Sequence, residues 1–325
     1  MIHASNLIRM VGLTLAGMAL AAGTHAQPFP NKPIIIIQPY SAGGLLDMGS
    51  RIMSVHAEKL LGQRIVVENR TGGGGKVGTE AMLRAPRDGY TLAAVSSSLA
   101  VYSPLLDATF KFEPVKDYTP ITLAFDTYYV LAASPTAPFN SLAGLIAYAK
   151  SNPGKLSVGN AGDGTGGHLA FELFKQAAGF DATAIPFKGE GPLIPSIVGG
   201  QVPVGYTTGT VRPLVEAGKL VALATTGPTR WKLFPNAPTF KEANISPLAV
   251  SALLGFIGPP GMPNDVVARI NAAMVASLQV PEVRKTLEEA GAVVRGVGPE
   301  EFAAQIRSDL DGWGAVIRKA NIKIN

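Results

Sequence analysis

Residues Pro33-Ile34-Ile35-Ile36-Ile37-Gln38-Pro39 place four consecutive isoleucines between two prolines. A β-branched run this short, with no polar residue inside it, predicts a strand covered on both faces, as in a parallel sheet. Tyr40-Ser41-Ala42-Gly43-Gly44 follows as a turn. Residues 45–61 then carry Ile52, Val55 and Leu60 at helical spacing, with Gly62 placed to cap the helix C-terminus. A second strand is expected over 65–68, a glycine-rich loop over 71–75, and a helix over 77–84 that stops before Pro86. Asp88-Gly89 turns into a third strand over 90–95, closed by Ser96-Ser97-Ser98. This β-α-β-α-β run predicts a doubly wound α/β sheet.

Downstream the alternation repeats. Strands are expected over 129–133, 156–159, 183–187, 202–206 and 220–225. Asn140-Ser141 can cap a helix running to Lys150, and another helix is expected over 168–178. A proline-rich connection (233–239) leads to a strand over 253–258 and helices over 264–277, 281–290 and 299–320. Gly258-Pro259-Pro260-Gly261 reads as a crossing back. The pattern predicts two α/β lobes, one formed by residues 27–126 with 246–325, the other by 127–245 inserted within it.

The first residues read as an address. Arg9 supplies a positive start, 10–23 is a short apolar stretch, and Thr24-His25-Ala26 resembles a small-x-small cleavage site. That is the pattern of a secretory signal peptide over 1–26, too short to span a bilayer. The mature chain is then expected to be exported. Removing the leader takes away His3 and His25, leaving only His56 and His168.

Composition narrows the chemistry. The 325 residues include no cysteine, which excludes thiolate nucleophiles, disulfides and Cys-ligated metals. Two histidines do not make a His-rich metal centre, and no G-x-S-x-G elbow presents a serine. The net charge of +5 is spread along the chain, without the basic stripe of a nucleic-acid binder. No metal, cofactor or nucleic-acid partner is therefore expected.

Two glycine-rich loops sit where α/β sheets bind ligands, beyond the carboxyl ends of strands. They are Tyr40 to Asp47, and Gly159-Asn160-Ala161-Gly162-Asp163-Gly164-Thr165-Gly166-Gly167-His168. Each leads into a helix N-terminus, whose free N–H groups and dipole favour an anion. Each is equally compatible with an ordinary strand-to-helix turn. Asp47 can brace its loop or accept a ligand N–H, and His168 can brace its loop or donate to a ligand. The second loop also fits G-x-G-x-x-G at Gly162, Gly164 and Gly167, with Glu190 where a ribose-binding acid would fall. An exported dinucleotide-dependent oxidoreductase is thus the alternative reading. Gly72 to Gly75 with Lys76 fails as a P-loop, because Val77 stands where Ser or Thr would hold magnesium.

At these loops the chain resembles the Bug family, the substrate-binding proteins of tripartite tricarboxylate transporters. The similarity runs over Pro39 to Asp47, Val66-Val67-Glu68-Asn69-Arg70 with Gly72-Gly73-Gly74, Asp88-Gly89-Tyr90-Thr91-Leu92 and Gly159 to Phe174. It continues through Lys188-Gly189, Gly199-Gly200-Gln201-Val202, Ala217-Gly218-Lys219-Leu220 and Ala237-Pro238-Thr239. The resemblance implies a two-lobed, non-catalytic periplasmic receptor of the type II flytrap class, using no cofactor and holding a small carboxylate largely through backbone N–H groups. Carried over residue by residue, it implies contacts from Tyr40, Ser41, Ala42, Gly43, Gly44, Asp47, Ser96, Ser97, Gly162, Gly164, Thr165, Gly166, His168 and Thr207. It implies a monomer that serves membrane permease subunits or a sensor. Three positions depart from the family pattern: Leu99 replaces a common histidine, Thr207 a common aspartate and Leu253 a common aromatic residue. The lost aspartate implies a ligand with a less polar body rather than an amino acid.

Overall fold

The computed structural model describes residues 29–107, 110–245 and 248–322, and the architecture below belongs to the unit Lys32–Asn325. The leader expected over 1–26 lies outside the described residues. In chain order the first elements are β1 (Ile34–Gln38), α1 (Leu45–Leu61), β2 (Ile65–Asn69), α2 (Lys76–Leu83) and β3 (Thr91–Ser96). A π-helical turn over Ser98–Tyr102 leads into α3 (Ser103–Leu106). Next come β4 (Thr119–Tyr128), β5 (Val130–Ala133), α4 (Leu142–Ser151), β6 (Ser157–Asn160), α5 (Gly166–Ala178), β7 (Thr183–Pro186) and α6 (Glu190–Val198). They are followed by β8 (Val204–Thr207), α7 (Arg212–Glu216) and β9 (Val221–Thr225). The chain ends with β10 (Ser251–Gly258), α8 (Asn264–Leu278), α9 (Pro281–Glu289), β11 (Val293–Val297) and α10 (Pro299–Ala320).

The strands form two mixed sheets, ordered β11-β4-β10-β3-β1-β2 and β7-β6-β8-β5-β9. The isoleucine strand is as its sequence predicts. It lies parallel to β2 on one side and β3 on the other, with Ile34, Ile36 and Ile37 wholly buried. Each such side chain stabilises the fold by roughly 1.5–3 kcal/mol relative to exposure. In the second sheet β7, β6 and β8 run parallel. The antiparallel members are β10 and β11 in the first sheet and β5 in the second.

Several sequence expectations are corrected. β4 and β11 carry no expected strand, yet β4 lies between β11 and β10. Its Pro120 is tolerated because β11 pairs only with Leu123, Phe125 and Asp126, leaving the proline at a free edge. Val55 and Leu60 of α1 are exposed, not buried. The face that α1 buries is made of small residues, Gly49, Ser50, Ser54 and Ala57, with Met53. A Cβ on Gly49 would meet the Phe125 ring at 2.5 Å, so the helix lies too close to the sheet for a larger side chain. The Ser50 and Ser54 hydroxyls are satisfied by donating to the Leu46 and Ser50 carbonyls at 2.7 and 2.6 Å.

The sheets are joined in two places. Tyr129 links β4 to β5, and residues 226–250 link β9 to β10. The return therefore precedes β10, and Gly258-Pro259-Pro260-Gly261 is only the turn from β10 toward α8. Thr226 clasps both links. Its N–H donates to the Tyr129 carbonyl and its Oγ1 accepts from the Tyr129 N–H, both at 2.9 Å, while the same hydroxyl donates to the Val250 carbonyl.

Candidate ligand-binding cleft

β1, β3, β6 and β7 end toward a common cleft, and the segments that follow them approach each other across it. The Ser41 N–H donates to the Lys188 carbonyl at 2.9 Å, the Gly166 N–H to Ser98 Oγ at 3.3 Å, and Ser103 Oγ to the Gly164 carbonyl at 3.4 Å. Gly191 fits because it lacks a Cβ, which would collide with the Ala42 carbonyl oxygen. Gly166 likewise lies against the Tyr129 ring and hydroxyl. The lobes stand closed on each other.

Between them is an inner hollow of about 70 Å³. That is about half the volume of an engineered cavity that binds benzene, so a ligand of more than a few heavy atoms needs the lobes slightly further apart. Among the expected residues, Tyr40, Ser41, Gly44, Asp47, Ser96 and Thr165 line it. Gly162 and Gly164 line a wider adjoining hollow of about 390 Å³, which shares Tyr40 and Ala161 with the first. Ala42, Gly43, Ser97, Gly166, His168 and Thr207 line neither.

The expected backbone donors are largely engaged within the protein. The Gly43 N–H donates to Asp47 Oδ2 at 3.2 Å, the Gly162 N–H to Asn160 Oδ1 at 2.8 Å, and the Gly164 N–H to His168 Nδ1 at 3.4 Å. Asp47 also accepts from Arg51 and from Asn69 Nδ2, so it braces its loop. Ser97 Oγ accepts from the Leu253 N–H at 2.8 Å, which explains its distance from the hollow. Thr165 caps α5, accepting from the His168 N–H at 3.4 Å.

Burial pushes the His168 ring below its ordinary pKa, and Lys175 acts in the same direction. Asp163 and Glu172 oppose it. At neutral pH the ring is an acceptor for the Gly164 N–H, bracing the loop rather than reaching a ligand.

Hydroxyls dominate the polar lining. Tyr40 Oη lies 3.1 Å from Ser96 Oγ, and Ser98 bonds to Tyr40 and Tyr129. Ser98, Tyr129, Thr208, Gly189 and Glu190 line the inner hollow without having been expected there as ligand contacts. Tyr129 escaped because it sits in the link between strands, and Ser98 because it begins the π-helical turn. Glu190, singled out only as a ribose-binding acid, instead stands at the first position of α6 and turns its carboxyl toward Thr208, Thr210 and the start of α1. Its Oε2 accepts from Thr208 Oγ1 at 2.9 Å and Thr210 Oγ1 at 3.3 Å. The Thr208 and Leu45 N–H groups also bond to its carboxyl, the latter from the N-terminus of α1 in the opposite lobe. Gly167, the last glycine of the G-x-G-x-x-G spacing, packs against Tyr206 Cβ within α5.

Two α/β lobes closed over a shared cleft, with paired crossings between them, define a solute-binding receptor fold. The family described as the tripartite tricarboxylate transporter family receptor matches residues 50–322, and this chain belongs to that family. It is a family of receptors, not enzymes, which sets aside the oxidoreductase alternative. The chain is 30% identical over 323 residues to protein BugT of Bordetella pertussis, covering 98% of this chain and 99% of that one. An R. palustris protein solved with adipate is 28% identical, with a TM-score of 0.86 and coverage of 91% and 99%. MatC from Rhodopseudomonas palustris, solved with bound malate, is 29% identical, with a TM-score of 0.85 and coverage of 89% and 100%. Among the described residues no helix is long and apolar enough to cross a membrane.

Proposed function

We propose that this chain is an exported receptor that captures a small carboxylate in the inner hollow and offers the closed form to a tripartite permease. The observation that carries this reading is the ring of hydroxyls, Tyr40, Ser96, Ser98 and Tyr129, at the meeting of the loops from both lobes. Hydroxyls grouped in this way can turn their O–H bonds toward a carboxylate and hold it without altering it. Adipate and malate in the two related structures support the ligand class. Residues 27–126 with 246–325, and 127–245, act as the moving lobes of a monomer. They hinge at Tyr129 and at 226–250, and the ligand favours closure by its higher affinity for the closed state. A sensor in place of the permease would use the same capture step.

Native mass spectrometry of freshly purified protein, followed by calorimetry with the acid it carries, tests the reading. A bound carboxylate that is lost in Gly166→Val, with folding intact by circular dichroism, is expected. A bound molecule without a carboxylate, or unchanged affinity in that variant, would overturn it.

A further inference from the structure

Two acids line the inner hollow: Asp47 is paired with Arg51, whereas Glu190 has no cation bonded to it and the capture of an anion does not use it. Glu190 is 8% exposed and lines the hollow from the second lobe. All the groups bonded to it are neutral: the Thr208 and Thr210 hydroxyls and the Thr208 and Leu45 amides. Among the described residues no lysine, arginine or histidine lines the hollow. Neutral donors satisfy the oxygens but bring no opposite charge, so when Glu190 is ionised its charge acts on a neighbouring ligand charge at short range and, this deeply buried, with little screening.

We propose that Glu190 makes the hollow select carboxylates that also carry a positively charged group, an ammonium in the simplest case, and reject dicarboxylates. The proposal rests on the carboxylate-receptor reading. The hydroxyls of Tyr40, Ser96, Ser98 and Tyr129 receive the ligand's carboxylate, and its cation faces Glu190. A second carboxylate placed there would set like charges side by side with no cation between them, which strongly disfavours binding. Thr207, whose uncharged side chain implied a less polar ligand, lies off the hollow and is wholly buried.

The test is calorimetry at neutral pH with acids matched in carbon count. One set is alanine, β-alanine, propionate and malonate; another is γ-aminobutyrate, butyrate and succinate. Wild type is expected to bind the best amino acid of a set about tenfold or more tighter than its dicarboxylate. Glu190→Gln, checked for folding by its melting curve, is expected to erase that preference. Malonate or succinate binding wild type as tightly as its amino partners would overturn the proposal while leaving the carboxylate receptor standing. An ordering unchanged in Glu190→Gln would overturn it too. The wild-type ranking decides alone if the variant does not fold. Absence of heat from every acid, with a carboxylate-free molecule found in the purified protein, would overturn both readings.

Discussion

At the residue scale, closure depends on two glycines for lack of space. Gly191 meets the Ala42 carbonyl, so Gly191→Ala forces the two loops apart in the closed state alone. We expect about tenfold or greater loss of affinity by calorimetry, with the melting temperature of the ligand-free protein nearly unchanged. Two buried ionisable groups give opposite pH slopes. Burial raises the Glu190 pKa, so the folded state holds that proton more firmly than the unfolded chain. Its stabilisation is present below the ordinary carboxylate value and lost as pH rises through the folded value. Burial lowers the His168 pKa from 6.5, so its contribution is present above 6.5 and lost as pH falls through the folded value. Melting curves against pH should flatten on the acid side in Glu190→Gln and near and below 6.5 in His168→Gln. Tyr40, Ser96 and Thr165 were legible as residues lining the hollow, Tyr40 and Thr165 from their glycine-rich loops and Ser96 from the family resemblance. Glu190 was legible only as a spacing coincidence, because its role depends on Leu45 approaching from the other lobe.

At the element scale, the clasp at Thr226 ties the two crossings together. Thr226→Val keeps the shape but leaves the Tyr129 N–H and the Val250 carbonyl without the hydroxyl. The expected cost is about 1–3 kcal/mol, measured by urea unfolding. Most elements were legible because their periodicity is local. Ser141 caps α4 by accepting from the Gly144 N–H, and Gly62 ends α1 in the left-handed region at φ 72°, both as the sequence predicts. β4 and β11 were not legible, since Thr119–Tyr128 carries Pro120 as its second residue at a free edge and Val293–Val297 is a short strand with Val293 exposed. The buried face of α1 was missed for a related reason. A search for large apolar residues passes over Gly49, Ser50 and Ser54, which are there because the helix lies so close to Phe125.

At the scale of the whole molecule, a ligand that binds only the closed form stabilises it by mass action. A ligand at a hundred times its dissociation constant should add about 2.7 kcal/mol to unfolding, read as a rise in melting temperature. Small-angle scattering should show the ligand-free chain more extended than the loaded one, and Gly191→Ala more extended than wild type under the same ligand. The two-lobed plan was legible from the alternation of elements. The mixed character of both sheets was not, because strand direction across an inserted lobe is set by where the chain returns, here ahead of β10.

The commitment of the loop amides to internal partners has one more consequence. An amide points in one direction, whereas a serine or tyrosine hydroxyl can swivel and exchange the roles of giver and taker. On the carboxylate-receptor reading proposed above, a wall written in such rotors conforms to acids of differing outline, and electrical sign weighs more than silhouette in what it admits.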